Sequence, residues 1–107
     1  MPSQEKIQEI QFLEQNLQNL LLQKQAFQIE LTETASALKE IEASTEDIFK
    51  IIGQIMIKTD KKKMNAELSE KQKFFELRLK TIDKQESILT EKLEKLRDEL
   101  MKEMKTK

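Results

Sequence analysis

Apolar residues recur along this chain in alternating steps of three and four, first over residues 10–41 and again over residues 68–100, with a segment of different rhythm between. The first stripe is Ile10, Leu13, Leu17, Leu20, Phe27, Leu31, Leu38 and Ile41, with Lys24 and Thr34 as polar intruders. The second is Leu68, Phe75, Leu79, Ile82, Leu89, Leu93, Leu96 and Leu100, interrupted by Gln72 and Glu86. A repeat of about 3.5 residues keeps one helical stripe facing a partner and predicts a left-handed coiled coil. The partner nearest to each stripe is the other one. The expected fold is therefore mainly α: a long antiparallel two-helix coiled coil, with helical arms over residues 5–43 and 64–105 of a single domain, 1–107. Pro2 and Ser3 suit the first turn or cap of the first arm, and the Thr59-Asp60 step suits entry into the second.

Register follows from facing positions. In an antiparallel pair facing residues have a constant sum of numbers, and a sum of 106 sets Ile10 against Leu96, Leu13 against Leu93, Leu17 against Leu89 and Leu31 against Phe75. It also sets Thr34 against Gln72, so a polar layer meets itself and neither group is stranded in hydrocarbon. Lys24 and Glu86 fall in adjacent layers within reach of an ion pair. These four residues are the expected register determinants, as polar seam residues are in coiled coils generally. The pivot of this register is Gly53, the only glycine.

Around that pivot, residues 47–59 carry five Ile, a Phe and an alternating pattern, which predicts two short strands with a tight turn near Ile52–Gln54. With the pivot on Gly53, one face is expected to hold Phe49, Ile51, Ile55 and Ile57. The other mixes Ile48, Ile52 and Met56 with Lys50 and Lys58. A lone two-stranded hairpin is marginal in water and leaves two edges open. The arms already use their stripes on each other, so Ile48, Phe49, Ile51, Ile52, Gly53, Ile55, Met56 and Ile57 are expected to form an assembly surface for hairpins of other subunits, merging into an intersubunit β-barrel.

Composition narrows the function. Of 107 residues 36% are charged, with one Gly and one Pro, which suits long helices better than a globular core. Net charge is −1, so no overall field draws the chain to nucleic acid or to an anionic membrane. Lys61-Lys62-Lys63 is the one basic run, read as a polar guard at the end of an edge strand. The longest apolar stretches are far short of the ~20 residues that cross a bilayer. With no Cys and no His, disulfides, thiolate chemistry and the usual zinc sites are excluded. A single Gly excludes the phosphate-cradling loops. Ser and Thr have no His to activate them, and the paired carboxylates lie on solvated helix faces, so catalytic, cofactor and metal sites are all expected to be absent.

The layout of helix, Phe49-Lys50-Ile51-Ile52-Gly53-Gln54-Ile55-Met56-Ile57-Lys58 hairpin and returning helix resembles the prefoldin β-subunit family, archaeal type. The run from Gln23-Lys24-Gln25 through Glu30-Leu31-Thr32-Glu33 to Ala37-Leu38 is similar to that family's first helix. Glu86, after Asp83-Lys84-Gln85, sits in a comparably charged part of the second. The resemblance covers nearly the whole chain; the Lys-rich C-terminal end is shorter than the tail often seen in the family. It implies a cytoplasmic heterohexamer of two α and four β subunits that acts as an ATP-independent holdase, capturing unfolded proteins and delivering them to a group II chaperonin.

The family holds its clients at the arm tips. There, by the register above, the seam residues Ile10, Leu13, Leu96 and Leu100 are joined by the off-seam Ile7, Phe12, Met101 and Met104. Met is adaptable enough to suit many client shapes. Leu22, Ile29, Phe74, Leu77 and Ile88 also lie off the seam, with no role assigned. The competing reading is a structural or adaptor coiled coil that oligomerises through its hairpin and binds one folded partner.

Overall fold

The computed structural model describes residues 4–105; Pro2 and Ser3, expected at the first helix start, lie outside the described residues. The order is α1 (Gln4–Ala43), β1 (Ile48–Ile52), β2 (Ile55–Thr59) and α2 (Lys61–Lys105). Two long helices thus flank a two-stranded antiparallel sheet. The chain divides into two compact units, one built from residues up to Ala26 with those from Leu79 onward, the other from Phe27–Arg78.

In the first unit the seam holds an apolar core. Ile10, Leu13 and Leu93 are buried together, and Leu17, Leu89, Leu96 and Leu100 pack against them. These are the residues that the register sum brings together. Ile82 is likewise buried, at 2% exposure. Opposite charges rim this core: Lys6 pairs with Glu103 and, at 3.6 Å, with Glu99, while Arg97 and Glu14 approach to 3.6 Å.

In the second unit Phe75 is buried and its ring centroid lies 5.7 Å from that of Phe27, a tilted pair within the range where aromatic rings attract. Phe74 meets Phe75 edge-on at 5.4 Å, and Arg78 lies 5.5 Å above the Phe27 ring. Thr34 is buried, but its hydroxyl donates to the Glu30 carbonyl at 2.7 Å one turn back, not to Gln72. The Thr34 hydroxyl thus does not bridge the seam. A threonine can satisfy its only donor on its own helix, so it needs no partner opposite.

The connections are capped locally. Ser44 closes α1, its N–H donating to the Ile41 carbonyl at 3.3 Å. The Lys61 ammonium donates to the Glu42 carbonyl at 2.6 Å, satisfying one of the carbonyls that a helix end leaves open. Asp60 caps α2, accepting the Lys63 N–H on its side chain at 2.7 Å and the Met64 N–H on its carbonyl at 3.1 Å. That cap starts the helix at Lys61, three residues before the expected 64, and draws the basic run into its first turn.

Candidate functional site

Three places stand out: the hairpin, a charged layer in the seam, and the end of the coil where both helices terminate. In the hairpin Gly53 and Gln54 form a two-residue turn. Gly53 has φ +60° and no other residue type among those described takes a positive φ, the pattern of a type II′ turn. The pairs are Ile52 with Ile55, Ile51 with Met56, Lys50 with Ile57, Phe49 with Lys58 and Ile48 with Thr59.

This register corrects the expected faces. Two turn residues put the pivot between Gly53 and Gln54, not on Gly53, and a shift of one residue exchanges the two sides of a strand. Phe49, Ile51 and Met56 therefore share a face with Lys58. Ile52, Ile55 and Ile57 share the other with Ile48 and Lys50. From Phe49 to Ile57, every apolar side chain of the hairpin is exposed, between 46% and 69%. Ile48 is half-buried and lines a small groove with Ala37 and Ile41. Lys50 pairs with Glu67, and Lys58 approaches Asp47 at 3.6 Å, so both basic residues of the strands are engaged within the subunit.

The charged layer lies in the first unit. Lys24 Nζ is 3.1 Å from Glu86 and 2.8 Å from Asp83. Its side chain is 28% exposed, so the pair is partly withdrawn from water. Hydrogen bonds to Asp83, and then to Glu86, hold the ammonium above its ordinary pKa against the opposing effect of desolvation. Lys6 is raised in the same way, first by its hydrogen bond to Glu103. Asp83 and the Lys6 partners were not singled out from sequence. The available signal was opposite charge at positions flanking the seam and facing each other in the derived register.

At the terminal end Phe12 is 65% exposed, Met101 53% and Met104 57%. Ile7 is half-buried. Ile10 and Leu13 lie in the core, with Leu96 and Leu100 packed on it. Of the eight residues, Phe12, Met101 and Met104 are thus exposed, Ile7, Leu96 and Leu100 half-buried, and Ile10 and Leu13 buried. Among the described residues no helix is long and apolar enough to cross a membrane, and no cluster of carboxylates has metal-binding geometry.

The prefoldin subunit family model matches residues 4–107, all but the first three positions. The chain belongs to the prefoldin subunit family. It is 43% identical over 90 residues to prefoldin subunit beta of Pyrobaculum islandicum, covering 82% of this chain and 72% of that one. It is 46% identical over 85 residues to prefoldin subunit beta of Thermococcus onnurineus, covering 78% and 73%. The crystal structure of the prefoldin beta subunit from Thermococcus strain KS-1 superposes with a TM-score of 0.86 at 36% identity, over 95% of this chain and 96% of that one. The prefoldin arrangement of two helices around a hairpin is therefore the fold of this chain, and its general role is that of a chaperone subunit.

Proposed function

We propose that this prefoldin subunit is the β-type component of an ATP-independent holdase. Its hairpin joins those of other subunits in β-barrel platforms of a hexamer with two α and four β subunits. The terminal end of its coil captures unfolded proteins in the cytoplasm and passes them to a group II chaperonin. The observation that carries the capture site is the exposure of Phe12, Met101 and Met104 at the end where both helices finish. Large apolar side chains kept in water serve a holdase, whose clients expose the same kind of surface. Where the last turns fray, Ile10, Leu13, Leu96 and Leu100 become available as well.

Exposed apolar residues on both faces of the hairpin support assembly, because a two-stranded sheet with open edges has no other means of covering them. Lys24 and Glu86 serve register, since a slip by one heptad would separate the charges and leave each half-buried without its partner. Each client contact is weak, and several coils closing on one chain supply affinity by multivalency.

The test is aggregation suppression on two unrelated unfolded proteins, with and without a co-expressed α-type partner. Protection of both clients, stronger with the partner, is expected. Failure on both, with tight binding of one folded protein instead, would favour an adaptor coiled coil.

A further inference from the structure

Among the grooves along the first unit, one differs in chemistry from two of its neighbours. Those two carry charge: Lys24, Asp83, Glu86, Glu91 and Glu94 line one, and Glu14, Glu94 and Arg97 border the other around Leu17, Leu21 and Leu93. The third, of about 380 Å³, has no charged residue in its lining, although 36% of the chain is charged. Leu20, Ile88 and Leu89 supply its apolar surface, and Asn16, Asn19, Gln23 and Gln85 supply four primary amides. Asn19 accepts a long hydrogen bond of 3.5 Å from Gln15; the amides of Asn16, Gln23 and Gln85 bond to no other described residue.

We infer that this groove binds an extended, uncharged stretch of unfolded polypeptide through its backbone, an amide-lined capture site separate from the apolar coil end. The inference deepens the holdase reading and rests on it for the identity of the ligand. A primary amide offers the donor and acceptor types of a peptide bond, so a row of them matches an exposed backbone whatever its side chains. Asn16 and Gln23 are seven positions apart on α1, about 10 Å at ~1.5 Å per residue. That is the length of about three residues of extended chain at ~3.3 Å each.

The same chemistry argues against other occupants. A helix, including either arm of a second copy, satisfies its backbone internally and would leave the four amides without peptide groups to meet. A charged partner would prefer either ionic groove. An unfolded segment presents unpaired N–H and C=O groups together with apolar side chains for Leu20, Ile88 and Leu89; a hairpin edge of a second copy presents the same groups but is taken up in the proposed platform. Phe12, Asn16, Asn19 and Gln23 follow one another at steps of four, three and four, so one face of α1 leads from the exposed coil end into the groove.

The chain has no cysteine, so Ile88→Cys provides a single attachment point for a photo-crosslinker in the assembled complex with its α-type partner. The probes are two unstructured peptides of the same Gly/Ser/Leu sequence with terminal Lys residues, one of them N-methylated along its backbone. Cross-linking of the unmodified peptide is expected, falling about tenfold on N-methylation, the loss that corresponds to a pair of net hydrogen bonds. Asn16→Leu with Gln23→Leu, which makes the groove more apolar, should lower labelling to a similar extent. Absent labelling, equal labelling of both peptides, or stronger labelling in the leucine variant would overturn the inference. Aggregation suppression by the unsubstituted complex is measured alongside. Suppression without groove labelling defeats this site alone, whereas loss of suppression defeats the holdase reading and leaves the cross-link to decide the groove.

Discussion

The ammonium of Lys24 on α1 sits 3.1 Å from the carboxylate of Glu86 on α2, with Asp83 closing the other side at 2.8 Å. One cation thus holds two anions across an otherwise apolar seam. Replacing Glu86 alone leaves Lys24 with Asp83, whereas replacing Lys24 leaves two carboxylates facing each other. Lys24→Met should therefore destabilise the coil more than Glu86→Met, and the double variant Lys24→Met/Glu86→Met should recover part of the loss. Thermal unfolding of the four proteins measures the coupling. Additive effects would show that the pair acts as two independent surface charges.

The same contact fixes a pH dependence. Lys24 has a folded-state pKa above its ordinary 10.5, so the contribution of its charge is complete below that value and is lost as pH rises through the folded value. The difference in unfolding temperature between the parent and Lys24→Met should stay constant from neutral to mildly alkaline pH and shrink at higher pH. A difference that shrinks on acidification through neutrality instead would contradict the assignment.

Leu93 is 2% exposed and lies in the core with Ile10 and Leu13. Leu93→Ala should cost about 3 kcal/mol, the usual loss for a buried leucine, read from urea unfolding. Leu22→Ala, at a side chain 61% exposed, should cost under about 0.5 kcal/mol. Similar losses at both sites would mean that the seam has been placed on the wrong face.

Gly53 is held at φ +60° with open space where a Cβ would stand. The cost of Gly53→Ala is therefore conformational and not steric, about 1 kcal/mol, and Gly53→Asn should cost less because Asn tolerates that region. Chemical denaturation of the assembled complex distinguishes the two.

Much of the fold was legible because coiled coils write their contacts into spacing. Ile10, Leu13, Leu17, Leu89, Leu93 and Leu96 could be paired by number alone, and the structure packs them together. The hairpin faces were less legible, since parity depends on whether the turn centres on a residue or between two. Gly53 marked where the turn lies without showing that Gln54 shares it. Thr34 shows another limit: periodicity places a residue on a face, but does not show that its hydroxyl bonds to its own helix at Glu30. Asp83 escaped notice because a flanking charge on a solvated helix looks like many others until its distance to Lys24 is known. The neutral groove between Asn16 and Ile88 depends on the lateral surfaces of two helices at once, which a single-helix period does not display.

Assembly provides a separate check. Ile51 and Ile57 lie on opposite faces of the hairpin and are 69% and 46% exposed. Replacing both with Asp should reduce the particle size by light scattering while helix content by circular dichroism stays close to that of the parent. An unchanged size would show that subunits join elsewhere.

The most direct measurement of client capture is aggregation suppression by the assembled complex carrying Phe12→Ser, Met101→Ser and Met104→Ser, three exposed positions whose substitution leaves the buried seam untouched. The expected result is an unchanged particle size and helix content, with a loss of most protection for two unrelated unfolded clients. Full protection by this variant would contradict capture at the coil end.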